Sequence, residues 1–164
     1  MIGDRWGVTD DEVARRFPCD DLAHGVAVWR GVTVHAPPER VWPWLCQVQL
    51  APYSYDWIDN LGRRSPRELV DHPDPKPGEH FSTSGGRFRL GEVLAVEHGV
   101  HLTARIMGAV MSYVLVPAGR DTRLLLKIVV PGRFARPLAL GDWPMARRQL
   151  LNLKERAESA CRGC

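Results

Sequence analysis

The chain lacks most of the features that would mark a protein for one particular task. No run approaches the roughly 20 apolar residues needed to cross a bilayer, so no membrane span is expected. The start, Met1-Ile-Gly-Asp-Arg-Trp-Gly, has no apolar stretch of the secretory type, and a cytosolic, reducing address is expected. Cysteine is sparse, with Cys19, Cys46, Cys161 and Cys164 alone, and in that compartment these are thiols rather than a disulfide framework. Lysine is scarcer still, 3 residues against 19 arginines, and the basic residues are scattered. That imbalance reads as codon bias. With a net charge of only +3 and no clustered basic face, nucleic acid is not the expected partner. Gly-rich phosphate loops, a Ser-His-Asp set and a nucleophile elbow are all missing.

Metal-ligand clusters are missing too. His98 and His101 flank a tight turn with no carboxylate-cysteine set to complete a tetrahedral site, so no metal and no other cofactor is expected. His72 and His80 lie in or beside a proline-rich loop, where they could line the mouth of a pocket, but solvent exposure is the expectation. Cys161 and Cys164 have C-x-x-C spacing, but they follow the end of the last expected helix. The dipole there disfavours thiolate, and residues 161–164 read as a frayed tail.

What remains is an ordinary globular composition, 45% apolar and 25% charged over 164 residues, enough for one domain with a substantial core. Thr9-Asp-Asp-Glu12 is a capping box. It starts a short helix to about Arg16, ended by Phe17-Pro18, within an N-terminal arm of residues 1–25. Val26, Val28, Val32 and Val34 form one face of a strand over 26–35. Pro37-Pro38 then turns the chain into a helix with Val41, Leu45 and Val48 on one face, Trp44 beside them, and Pro43 inside to bend it. A second short helix is expected over 55–61, stopped by Gly62, and a loop over 63–78.

From residue 79 the pattern changes to short strands, expected at 79–83, 87–97, 100–106, 109–117 and 121–130. Gly85-Gly86, His98-Gly99, Gly108 and Ala118-Gly119-Arg120 supply the turns of a meander. Such a sheet has to cover one face. The expected cover is a last helix N-capped by Asp142, with Pro144 in its first turn and Ala146, Leu150, Leu153 and Ala157 in one stripe. Lys154 and Glu158 pair on its wetter side.

The phrases "RWGVTDDEV", "VTVHAPPERVWPWL", "YSYDWIDNLG" and "DWPMARRQLLNLKERAE" touch both ends and the middle of the chain. With the element order they resemble the START-like, or SRPBCC, superfamily of polyketide cyclases, lipid-transfer domains and pollen-allergen-like proteins, in a bacterial branch without an assigned reaction. The resemblance implies an α+β helix-grip fold over residues 26–160. In that fold a curved antiparallel sheet of six to seven strands wraps around a long C-terminal helix, with a cavity between them. Six strands are counted here where the superfamily usually has seven. Only Gln49-Leu-Ala-Pro52 stands where relatives often carry a Gly-rich insertion.

The expected contents of that cavity are a small hydrophobic or amphipathic ligand, with Trp44, Tyr53, Tyr55, Trp57 and Tyr113 as its contacts. Asp56 has two readings: a base, if burial raises its pKa, or the cap of the second helix. Arg105 with Tyr113 is the candidate pair for steadying enolate charge, should the protein be a polyketide cyclase or dehydratase. His101, Thr103 and Arg105 on one strand, and Arg123 and Lys127 on another, otherwise read as a solvated outer face, as do Arg87 and Arg89. In 109–117, Met111 and Tyr113 share one side while Val110, Val114 and Val116 share the other. Both sides then need cover, and a homodimer would supply it. A third reading is an interaction protein whose cavity is filled by its own side chains.

Overall fold

The computed structural model describes residues 4–54, 60–132 and 135–159, with backbone alone for 135–143. In chain order the elements are β1 (Arg5–Trp6), α1 (Asp10–Ala14), β2 (Val26–Val34), α2 (Pro38–Cys46), β3 (Ser82–Ser84), β4 (Phe88–Leu90), β5 (Glu92–Glu97), β6 (His101–Ile106), β7 (Ala109–Ala118), β8 (Asp121–Val130) and α3 (Ala135–Ser159). Single 3-10 turns occupy Pro18–Asp21 and Gln47–Gln49. Six strands form one curved sheet in the order β1-β2-β8-β7-β6-β5, antiparallel except for β1 on β2. The long helix α3 packs on the concave face through Ala146, Leu150, Leu153 and Ala157, all at most 7% exposed.

Several expected boundaries moved, each for a physical reason. The strand expected over 87–97 is broken at Gly91, which has φ +67°. A Cβ there would sit 2.4 Å from the Arg105 carbonyl oxygen, so only glycine fits against β6. The first half, β4, leaves the sheet and pairs with β3 in a separate hairpin. The strand expected from residue 79 starts only at Ser82. Helix α3 begins at Ala135 rather than at Asp142, and Pro144 lies inside it. Packing of the stripe that follows offsets the hydrogen bond that proline removes. Helix α1 stops at Ala14, and its capping box forms: Thr9 Oγ1 accepts from the Glu12 amide at 3.2 Å, and Glu12 Oε2 accepts from the Thr9 amide at 2.9 Å. The helix expected over 55–61 falls mostly outside the described residues, as do Cys161 and Cys164.

The largest correction concerns the outer face of the sheet. Thr103 is fully buried and Lys127 only 8% exposed, where strand alternation alone predicts a solvated surface. The cover is the chain's own N-terminal segment. Phe17 and Cys19 pack with Val110, Val114, Leu125 and Val129 in a second apolar cluster, opposite the main core. The Lys127 ammonium lies 5.5 Å from the Phe17 ring and 5.0 Å from that of Trp29, and it pairs with Asp20. The Cys19 amide donates to Ser112 Oγ at 2.9 Å, and that hydroxyl bonds Thr103 at 2.8 Å. The apolar outer side of β7, for which the sequence pattern alone suggests a homodimer, is therefore covered within one chain.

Arg123 fastens the same segment. Its Nε and Nη2 donate to the two Glu12 oxygens at 2.7 and 2.8 Å, and Nη2 and Nη1 reach the Gly7 carbonyl and Thr33. The Arg123 hydrogen bond holds the Glu12 carboxyl below its ordinary value of 4.5, against a smaller upward push from burial. A carboxylate with a depressed folded-state pKa stabilises fully above its unfolded pKa and loses that contribution as pH falls through the folded value. Denaturant midpoints measured against pH should therefore drop below about pH 4.5, and Glu12→Gln should flatten that limb. At neutral pH, Arg123→Ala should cost about 1–3 kcal/mol.

Candidate functional site

Between the concave side of the sheet and α3 lies a cavity of about 290 Å³. Alternation along the strands builds its floor. Val28 from β2, Met111 and Tyr113 from β7, and Leu126 and Ile128 from β8 all face inward. Met145, Ala146 and Gln149 of α3 form the roof, and Pro52, Ser54, Phe81 and Leu90 close the sides. At the rim, Met107 is 91% exposed and stands in the two-residue turn between β6 and β7 with φ +48°, followed by Gly108 at +83°. Positive φ at both turn residues is the geometry that matches the twist of a tight hairpin.

Three of the four polar side chains in the wall, Tyr113, Gln149 and Ser82, are engaged by the protein itself. The Tyr113 hydroxyl donates to Gln149 Oε1 at 2.6 Å, and Gln149 Nε2 donates to the Pro52 carbonyl at 2.6 Å. Ser82 Oγ donates to the Val48 carbonyl at 2.8 Å. Phe81 stacks near Tyr113 with ring centroids 6.1 Å apart and planes at 26°. No charged side chain is among the described residues that line the cavity.

A polar row along α3 pins the segment that closes this side. Gln149, Asn152 and Arg156 recur at helical spacing and donate in turn to Pro52, to Tyr53 and Ser54, and to Pro66 carbonyls. These bonds hold Tyr53 at φ +57°, a left-handed conformation costing a non-glycine residue roughly 1–2 kcal/mol.

Of the residues expected to contact a ligand, Tyr113 lines the cavity. Trp44 and Tyr53 do not: they are 3% and 0% exposed and meet edge to face with centroids 6.4 Å apart. Their apolar bodies are spent on the core, and the Tyr53 hydroxyl is engaged by Gln47 Nε2 at 2.7 Å. Tyr55, Asp56 and Trp57 lie outside the described residues. The Arg105–Tyr113 pair does not form. Leu102 stands opposite Tyr113 on the inner face, whereas Arg105, three residues on, is exposed on the outer face. Alternation puts the two on opposite sides of the sheet.

None of the six histidines lines the cavity. His72 Nε2 bonds Gln49 Oε1 at 2.7 Å, and the His80 carbonyl accepts from Gln49 Nε2 at 2.9 Å. Burial pulls the His101 imidazole below its ordinary pKa, with Glu97 opposing. His98 bonds Asp74, which also accepts from Trp42 Nε1 at 3.0 Å and from the Cys46 thiol at 3.7 Å. Burial raises the Asp74 carboxyl, but these donors, His98 first, outweigh it and leave the group below its ordinary value. Burial, and then Asp74, push the Cys46 thiol well up, so it is a poor nucleophile. Asp74 thus pins the proline-rich loop to α2. Among the described residues no His, Cys, Asp or Glu group is placed to hold a metal, and no helix is long and apolar enough to cross a membrane.

Sequence reasoning missed Phe81, Met107, Met111, Met145 and, above all, Gln149. A signal for Gln149 existed, because a glutamine three residues after Ala146 and four before Leu153 falls on the apolar stripe. It also missed Arg30, which is 1% exposed on the inner face of β2 between Val28 and Val32. Its Nη1 donates to the Asp4 and Trp29 carbonyls at 3.1 and 2.8 Å, and it does not line the cavity.

No protein-family model matches this chain. No curated protein matches it either. Solved structures do. A protein of Staphylococcus saprophyticus aligns with a TM-score of 0.59 at 11% identity, over 82% of this chain and 92% of its own. One from Mesorhizobium loti gives 0.55 at 22% identity, over 81% and 97%. A protein of the dynemicin biosynthetic locus gives 0.51 at 19%, over 82% of this chain and 48% of its own. At such identities the likeness is one of architecture, and it agrees with the sheet gripping α3 and with the phrases that carry the sequence resemblance. The chain has the helix-grip fold, a curved, mostly antiparallel sheet wrapped around a long C-terminal helix.

Proposed function

We propose that this protein binds a small hydrophobic or amphipathic molecule in the cavity between the sheet and α3. The observation that carries the reading is the wall itself, about 290 Å³ bounded by aliphatic, thioether and aromatic side chains with few polar groups among them, three of which are engaged by the protein itself. Ligand sites are concave and mostly apolar, with a few placed polar groups, and fall near this size. A cavity filled by its own side chains would leave no such space, which weighs against a purely structural domain. Cyclase or dehydratase chemistry needs a charge or acid-base group at the reacting atoms. The described wall offers no charge, and its one acid-base side chain, Tyr113, has its proton committed to Gln149, so carriage is favoured over catalysis.

Native mass spectrometry of the protein purified from its own host tests this reading. A stoichiometric adduct of a small apolar compound, lost on denaturation, is the expected result. Repeated recovery of the bare chain, together with failure to bind any apolar probe, would sink it.

A further inference from the structure

Resting on the cavity as a binding site, the geometry points to a ligand class: a neutral, flat apolar molecule with one hydrogen-bond acceptor, such as an aryl ketone, whose oxygen is received by the Gln149 carboxamide. The orientation of that amide is fixed. The Pro52 carbonyl can only accept, so the nitrogen faces it, and the oxygen takes the Tyr113 proton. One N–H is thereby spent and the other has no partner among the described residues, on a side chain that is 9% exposed and lines the cavity. A buried N–H left unpaired is rarer and costlier than a carbonyl with a spare lone pair, so the site calls for an acceptor in preference to a donor. The Ser82 hydroxyl cannot substitute, since its proton is already on Val48.

Neutrality follows from the same wall. An anion would shed its water and meet no opposite charge among the described lining residues. Arg30 stands opposite Leu126, a cavity residue, but its guanidinium bonds backbone carbonyls at the β1–β2 edge. Flatness is favoured by the stacked Phe81 and Tyr113 rings and by Met107, Met111 and Met145, whose thioethers suit the edges of an aromatic ring.

Three naphthalenes of nearly equal size test this on the full chain by fluorescence titration: 2-acetylnaphthalene, 2-ethylnaphthalene and 2-naphthoate. The ketone should bind about 5-fold more tightly than the ethyl compound, the return on one neutral hydrogen bond. The carboxylate should bind at least about 50-fold more weakly than the ketone. In Gln149→Met the ketone-to-ethyl ratio should fall to about 1, and because it is a ratio within one variant, general loosening cancels. Isotope-edited infrared of the bound ketone gives a readout needing no variant, with the carbonyl stretch moving to lower frequency on hydrogen bonding. Equal binding of ketone and ethyl compound, an unshifted carbonyl, or naphthoate bound as tightly as the ketone would overturn this inference and leave the cavity reading standing. Failure of all three to bind would overturn both.

Discussion

Ala146→Phe should lower affinity for an apolar probe such as 2-ethylnaphthalene by about 100-fold or more while leaving the melting temperature within a few degrees of the parent. Ala146 stands on the apolar stripe of α3, 7% exposed, with its methyl in the cavity wall. A phenyl ring placed there enters space that is already empty. The usual cost of overpacking, about 1–3 kcal/mol, is therefore largely avoided, and the ring gains contacts with the aliphatic floor. What it removes is the volume a ligand needs, and a ligand deprived of most of its burial loses the bulk of its binding energy. Ala157 makes the matched control. It lies on the same stripe, is 0% exposed and does not line the cavity. Ala157→Phe should reverse the pattern, with a melting point lower by several degrees and probe affinity changed little in the fraction that folds. If Ala146→Phe binds the probe as the parent does, the probe sits elsewhere and the proposed site is wrong.

The contrast between those two alanines also marks what was legible in the sequence. Periodicity put Ala146 and Ala157 on one face of one helix, and it put Met111 and Tyr113 on one side of β7. Both assignments hold because spacing determines the face that a side chain occupies. What packs against that face depends on residues distant in sequence. Aromatic density makes Trp44 and Tyr53 look like cavity wall from sequence, but it is common to walls and cores alike. The fold chose core for both when Tyr53 took a left-handed turn under Asn152 and Arg156. Gly91 is the same lesson for the backbone. A glycine inside an alternating run can be passed over, and only the approach of the Arg105 carbonyl shows why the strand has to break there. Pro144 argued locally for a helix start, yet the helix begins at Ala135, about two turns before Asp142 at about 3.6 residues per turn. Gln149 was legible as an exception to its stripe. Its donor role needed the Pro52 carbonyl, nearly a hundred residues away in sequence.

Phe17→Ala should be among the most damaging single changes outside the main core, at about 3–5 kcal/mol. For a domain of this size that amounts to a drop in melting temperature on the order of 10 °C. Phe17 is 1% exposed and is the aromatic centre of the cluster that covers the outer face of the sheet. Its removal leaves a void against Val110, Val114, Leu125 and Val129, and it strips the Lys127 ammonium of one of the two rings beneath it. Lys127 itself keeps Asp20, so no charge is orphaned and the damage is mainly that of a cavity. Phe17→Leu separates the contributions, since it retains most of the apolar volume and loses the ring, and it should cost roughly 1–2 kcal/mol. Loosening the arm also has a consequence beyond stability. Sheet faces left bare associate, so Phe17→Ala should show concentration-dependent self-association by analytical ultracentrifugation where Phe17→Leu does not. A Phe17→Ala protein that melts within about 2 °C of the parent would mean that the arm contributes little to the cover. In that case the two-sided burial of β7 would again call for a second copy of the chain.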